Sequence, residues 1–477
     1  MMEQKVIDYL REEYKTWGWI GQRAHDGSAI NSVLPLDFII SCDFGRETEH
    51  YFSQKIFSLE KVSRIRKNWS NEDINESLEG ITGVHIKEYF SRIPGKVHCI
   101  CYRSFPQLEL LGAEKPEKLS IISSPVTLKE TLDDKIFFRE ILHQIGIELV
   151  PGNVIELGST PFEAIVESLG IPFVIQFPRG SSGNNTFIIR DKEHYSYLGD
   201  TYKGRWVNLL TYISGIDCNI NVVIYPDKNG CSVLPSFPSV QLIGLNECSN
   251  SPTTFCGNDF SAMTDIDESL LNTIYALSYQ IGTYIASLGF KGIFGIDMIL
   301  EDEKVYPIEI NPRFQNSTGL FTALELLYKK DPQLILYHLA SFFSEDKELF
   351  ALMERIDGAH LKEKIEGAQV ILHNSDYRTV VTGAMLPGVY LYHEGSLLYK
   401  HPGALLTDCT AKDDILITCG VPEKGLVLEP GSPVCKIQTR SQMYDCRNKS
   451  LIPSMREVIK KVYQELQLTK CFEHEFV

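Results

Sequence analysis

The sequence has no run of about 18 consecutive apolar residues, so no membrane-spanning helix is expected. Its amino-terminal stretch, MMEQKVIDYLREEYKTWGW, is charged throughout and lacks the apolar centre of a secretory signal. Its 12 cysteines include no CxxC pair. Cys99 and Cys101 come closest, and two-residue spacing on a strand is a poor zinc knuckle. Scattered cysteines of this kind read as reduced, buried thiols in a cytoplasmic protein, where the sequon Asn316-Ser317-Thr318 has no role. No GxGxxG follows the first apolar strands, which removes the dinucleotide fingerprint. Basic charge is short: 46 Lys and Arg against 62 Asp and Glu leave a net charge of −16. This argues against a general nucleic-acid surface, which needs clustered cations, whereas a nucleotide pocket needs only a few. There is no internal repeat and no low-complexity tract.

What is present is enough chain, at 477 residues, for about three domains. With 43% hydrophobic and 23% charged residues, the composition is that of an ordinary globular protein. LDFIISCDF (36–44) and KVHCICYRS (96–104) read as buried strands, with helical material such as EDINESLEGITGVHIKEYFS between them. This predicts a small α/β domain over 1–125. LDDKIFFREILHQIGIELVPG (132–152) has a helical period, with Asp133 or Asp134 as its cap and Gly146 at its end. Helix PFEAIVESLG (161–170) leads into strand IPFVIQF (171–177), the loop PRGSSGNNT and strand FIIR (187–190), a hairpin with a Gly- and Ser-rich turn. WVNLLTYISGIDCNINVVIY (206–225) reads as strand, short connection, strand. A long amphipathic helix (269–290) precedes the strands GIFGIDMIL (292–300) and VYPIEIN (305–311), joined by the turn EDEK. One helix, TALELLYKKDPQLILYHLASFF, follows. From about 367 the chain is rich in strands, Gly and Pro, and it closes on helix MREVIKKVYQELQL (455–468).

The hairpin at 292–311 raises a chemical question. Glu309, Asn311 and Arg313 alternate, so on extended backbone they share one face. Asp297 lies on the partner strand, and the tight turn brings it close. Two carboxylates and an amide oxygen are hard ligands suited to Mg²⁺ or Mn²⁺. Arg313 could then face a transferring phosphoryl group or an acyl phosphate. The same pattern also suits the solvated face of an edge hairpin, and the residues alone leave both readings open.

GIDMIL…YPIEINPRFQ resembles the metal-binding strands of the ATP-grasp superfamily, an acidic residue followed about twelve residues later by Glu-x-Asn and then Arg. The likeness continues upstream in the right order. Asp134-Lys135 and IGIELVPG are similar to the family's DK…GIPxP segment, IPFVIQFPRGSSGNN to its strand and phosphate-covering loop, and TYISGIDCNINVVI to its hinge and ribose segment. The match covers roughly 126–345. The β-rich tail, with GAMLPGVYLY and LEPGSPVCKIQTR, resembles the closing domain of biotin-carboxylase-like members. The resemblance implies an α/β (α+β) ATP-grasp fold with a Rossmann-like domain at 1–125. A small lid subdomain would span 126–205, a large subdomain with the metal site 206–350, and a β-rich domain with its terminal helix 366–477.

By resemblance, Asp297, Glu309 and Asn311 would hold the metal and Arg313 would stabilise the acyl phosphate. Lys135, Gln176 and the loop Arg179, Gly180, Ser181, Ser182 and Gly183 would meet the ATP phosphates. Tyr212 and Ile213 would line the adenine hinge, and Asp217 would bind ribose. The alternative readings are a surface lysine at a helix start for Lys135, a turn residue for Asp217 and an ordinary hairpin turn for 179–185. The chain departs from the family at three points. Gln176 stands where a Lys is usual, the acidic hinge residue is replaced by Leu210 or Thr211, and Ser317 and Thr318 replace the Glu-His of biotin carboxylases. No biotin-acceptor Met-Lys-Met occurs either. In PSFPSVQLIGLNECSNSPTTFCGNDFSAMT (235–264), Gln241, Asn258 and Asp259 are second-substrate candidates, with Gln315 and Ser317; the segment could equally be an irregular strand and loop. The expectation is an ATP-dependent carboxylate–amine ligase acting through an acyl phosphate on amino acids or short peptides, with no nucleic-acid or membrane partner and a homodimer among the assemblies allowed. A bicarbonate-using carboxylase and a noncatalytic nucleotide-binding protein are the alternatives.

Overall fold

The computed structural model describes residues 2–47, 55–180, 185–328 and 332–471. The amino-terminal part is built on a parallel five-stranded sheet in the order Lys55–Ser58, Phe38–Asp43, Thr16–Arg23, Val97–Cys101, Leu119–Ile122. Its central strand, TWGWIGQR, has two Trp and two Gly, which hide the apolar run that marks its neighbours. Gly18 is needed there, because a Cβ would lie 1.9 Å from the Phe38 ring on the adjacent strand. The helical stretch between the outer strands is split at Gly80 into Asn71–Glu79, opened by a Ser70–Asp73 capping box, and Ile81–Arg92.

A four-stranded antiparallel sheet follows, in the order Gly152–Glu156, Trp206–Thr211, Phe173–Gln176, Thr186–Ile189. Helices Phe162–Leu169 and Lys192–Thr201 cover it and close a separate apolar core around Phe173, Ile175, Val207 and Leu209. A small cluster of Val150, Leu210 and Tyr306 joins it to the rest. This layer has little shared core with its neighbour, the condition for moving as a unit.

The largest sheet runs from Lys304–Asn311 through Gly292–Glu301, Ile216–Tyr225, Ser239–Ile243 and Phe255–Asp259. It does not stop there. Phe255–Asp259 pairs antiparallel with Ala368–His373, and the sheet continues through Pro433–Thr439, Asp414–Thr418, Gly388–His393 and Ser396–His401. One apolar core runs across the large sheet, the carboxy-terminal strands and helix Pro453–Leu466. Segment 235–264, which read as either recognition loop or irregular strand, contributes two paired strands of this sheet. The single helix expected after the hairpin is two described helices, Asn316–Tyr328 and Gln333–Ser341, the second entered at Pro332. Among the described residues, no helix is long and apolar enough to cross a membrane.

Candidate active site

A cavity of about 400 Å³ lies between the small sheet and the large one, reached by the carboxy-terminal hairpin Tyr444–Leu451. Asp134 starts its helix as expected, its carboxylate accepting from the N–H groups of Ile136 (2.9 Å) and Phe137 (3.1 Å). That cap fixes Lys135 as the first helical residue. Its side chain is only 4% exposed, and Nζ donates to the Gly180 carbonyl of the small sheet's loop (2.9 Å) while pairing with Glu309 of the large sheet (3.1 Å). A surface lysine would do neither. Gln176 lines the same wall, its Oε1 accepting from Asn208 Nδ2 across the strand pair (3.2 Å).

On the hairpin, Asp297 stands opposite Glu309 and Gly295 opposite Asn311. Asp297 Oδ1 accepts from Asn219 (2.8 Å) and Gln315 (3.4 Å), and Oδ2 from Asn311 (3.1 Å). Gly295 makes room for this set, since a Cβ there would fall 1.8 Å from the Gln315 carboxamide. Arg313 Nη2 donates to Asn311 Oδ1 (2.7 Å) and Nη1 to the Phe314 carbonyl (3.0 Å), with its guanidinium 5.7 Å from the Tyr102 ring centre. Tyr102 follows the strand Val97–Cys101, and its carbonyl accepts from Phe314 N–H (3.1 Å), so the amino-terminal sheet also braces the arginine.

Burial pushes the Glu309 carboxyl up to about 7, with Asp297 adding to the rise, while Lys135 and Arg313 draw it down. Burial likewise raises Asp297 against the pull of its amide donors and Arg313. Two buried carboxylates resist sharing negative charge, and a bound cation would relieve them. Among the described residues no group of three or more His, Cys, Asp or Glu gathers, so the donor set is two carboxylates and one amide oxygen. That set fits magnesium, which takes one or two carboxylates and completes its shell from phosphate and water.

At the other end, Tyr212, Ile213 and Asp217 line the cavity beside Leu210. Burial pushes the Asp217 carboxyl up to about 6, with Asp297 raising it and Lys449 lowering it. Lys449 Nζ donates to the Gly215 carbonyl of the hinge (2.9 Å). Asn258, Gln241, Gln315 and Ser317 also reach the wall. Ser317 donates to Asn219 Oδ1 (2.7 Å), and Thr318 to Asn221 Oδ1 (2.7 Å), so both hydroxyls are spent inside a buried amide network.

Two expected residues lie elsewhere. Asp259 does not line the cavity; its carboxylate accepts from the N–H groups of Ala262 (2.9 Å), Met443 (2.7 Å) and Tyr444 (2.9 Å) and so anchors the carboxy-terminal hairpin. Strand alternation explains this, since its neighbour Asn258 takes the cavity-facing position. Arg179 is exposed and off the cavity wall, its carbonyl accepting from Asn185 (3.0 Å). Ser181, Ser182 and Gly183 lie outside the described residues. Sequence reading missed Asn219, although Asp217, Asn219 and Asn221 alternate on one strand and carried the signal. It also missed Tyr444, Cys446 and Lys449, which come from the far end of the chain with no local mark.

A family model of the ATP-grasp domain matches residues 133–317. The formate-dependent phosphoribosylglycinamide formyltransferase of Francisella tularensis is 24% identical over 230 residues, 46% of this chain and 55% of that one. The D-alanine–D-alanine ligase of Petrotoga mobilis is 26% identical over 211 residues, 43% of this chain and 63% of that one. This chain therefore spans less than two thirds of either protein. Among solved structures, the biotin carboxylase domain of the 2-oxoglutarate carboxylase of Hydrogenobacter thermophilus, in complex with MgADP, ADP and bicarbonate, superposes with a TM-score of 0.56 at 14% identity. It covers 89% of this chain and 86% of that one. At that identity the likeness speaks for the fold.

Proposed function

We propose that this chain, whose residues 133–317 match a family model of the ATP-grasp domain, is an ATP-dependent carboxylate–amine ligase, releasing ADP and phosphate through an acyl phosphate. The observation that carries this reading is the ordered Arg313 guanidinium beside Asn311, Asp297 and Glu309, with Lys135 opposite. A protein that only senses nucleotide has no need of a cation fixed beyond the metal ligands.

Each residue has a task in this reading. Lys135 presents positive charge to the phosphates from beneath the Gly180 loop. Ile213, Leu210 and Val174 give an apolar slot for the base. Asp297, Glu309 and Asn311 would hold magnesium, which supplies charge neutralisation at the phosphate oxygens. Arg313, held by Asn311 and Phe314, faces the negative charge that builds on the acyl phosphate and on the oxyanion formed when an amine adds. The small sheet excludes water that would hydrolyse the acyl phosphate. The bicarbonate reading loses support, because Ser317 and Thr318 offer no base and their hydroxyls are bonded to Asn219 and Asn221. Amino acids or short peptides remain the substrates proposed.

Purified protein with Mg²⁺ and ATP should form ADP and phosphate only when a matching acid and amine are both present. AMP and pyrophosphate as products would overturn the mechanism. Arg313→Ala and Glu309→Gln should each lower kcat by about 10²–10³ or more with the circular dichroism spectrum intact.

A further inference from the structure

The cavity does not end at the metal ligands. Two strands beyond Asp297, roughly 10–15 Å across the sheet, it continues over Ser239–Ile243 and Phe255–Asp259. There Gln241 faces Asn258 and Ile243 faces Phe255 across the strand pair. Thr253 and Tyr444 border the same arm. Among the described residues lining the whole cavity, the cations are Lys135, Arg313 and Lys449. The first pairs with Glu309, the second is bound to Asn311, and the third donates to the hinge carbonyl of Gly215. None belongs to the arm, whose walls are carboxamide, hydroxyl, aromatic and aliphatic.

Resting on the ligase reading, we propose that this arm receives the body of the acid substrate, and that the body carries neither a phosphate nor a second carboxylate. The acid would extend its reacting carboxylate toward Arg313 and lie along the arm over Ile243 and Phe255, its polar atoms bonded by Gln241 and Asn258. A second anion placed there leaves water and meets no cation, so it is rejected by its own desolvation. Gln241 and Asn258 offer both donors and acceptors and therefore suit neutral polar groups. Asn258 is fixed for this from behind, donating to Ser239 Oγ (3.0 Å) and accepting from Gln369 (3.5 Å).

The test uses the full chain with ATP, Mg²⁺ and hydroxylamine, which traps an acyl phosphate as a hydroxamate without knowledge of the natural amine. Alanine, leucine, phenylalanine, glutamine and neutral dipeptides are compared with aspartate, glutamate and phosphoserine. Hydroxamate and ADP are expected with at least one neutral acid, and kcat/KM for the dianionic acids should be lower by about a hundredfold or more. Ile243 sits at the rim, 37% exposed, and accepts a long polar side chain there. Ile243→Lys should narrow the gap by about tenfold in favour of the dianions. Thr253→Lys, on the bordering loop, provides the same measurement if the first variant fails to fold. Equal or better turnover of aspartate, glutamate or phosphoserine by the wild type would overturn the proposal and leave the ligase reading standing. An unchanged preference in a folded lysine variant would also overturn it. No hydroxamate or ADP with any acid would remove the ligase reading and this proposal with it.

Discussion

Asp297 accepts hydrogen bonds from three carboxamides, those of Asn219, Asn311 and Gln315. Neutral donors hold the carboxylate in place without neutralising its charge, so it stays available to a cation. Asn219 is central, since it also donates to Gln315 (2.8 Å) and accepts from Ser317. Asn219→Ala should cost about 1–3 kcal/mol of stability by stranding those partners, measured by urea unfolding. It should also raise the magnesium concentration needed for half-maximal ADP formation, whereas a purely structural defect would lower kcat at every magnesium concentration. At this scale the sequence was legible where residues alternate. Asp297, Glu309, Asn311 and Arg313 converge because a two-stranded register brings them together. Asp259 misled because its own register turns it to the opposite face.

Among the elements, the helix Lys135–Gln144 and the hairpin Tyr444–Leu451 position the two ends of the cavity. The first was readable from its Asp cap and apolar period. The second was not, because nothing in its own residues says that it will meet the hinge. Asp134→Ala should cost about 1 kcal/mol in urea unfolding and raise KM for ATP, because Lys135 depends on that cap. Asp259→Asn, which keeps the shape but cannot accept all three N–H bonds with equal strength, should loosen the hairpin. On the ligase reading the expected signature is a higher KM for ATP with a smaller change in kcat, since Lys449 of this hairpin donates to the Gly215 carbonyl beside the proposed nucleotide pocket.

For the whole molecule, the continuous large sheet means that the carboxy-terminal strands cannot be removed cleanly. Deleting residues 366–477 would strip Phe255–Asp259 of its partner Ala368–His373 and expose the apolar core they share, so the truncated protein should be insoluble on expression. Sequence composition marked the change to β structure near 367 but could not show that the new strands extend an existing sheet. Acid response is also set at this scale. Burial holds His25 and His338 down at about 3 and His98 and His373 at about 4, below the ordinary value of 6.5. The unfolded chain therefore takes up protons that the fold refuses, and stability falls as pH drops below about 6.5. Burial raises Glu309 and Asp43 to about 7 and Asp217 and Asp259 to about 6, so these bind protons in the fold first and stability falls as pH rises toward those values. The two sets oppose each other between about pH 4.5 and 6. In chelator, the urea midpoint should be nearly flat across that window. It should then drop steeply below about pH 4, where His25 and His338 still refuse protons and the depressed carboxylates Asp26, Asp73 and Asp346 lose their partners.

Lys135 touches both jaws of the cavity, Gly180 on one and Glu309 on the other, and is nearly sealed from solvent between them. Its amine is therefore a built-in gauge of how far apart the jaws stand. An acylating reagent that modifies free amines should spare Lys135 in the closed arrangement and reach it when the small sheet swings away. Peptide mapping after brief labelling, with and without MgATP, should show protection at this one lysine while exposed lysines such as Lys192 and Lys228 react equally in both.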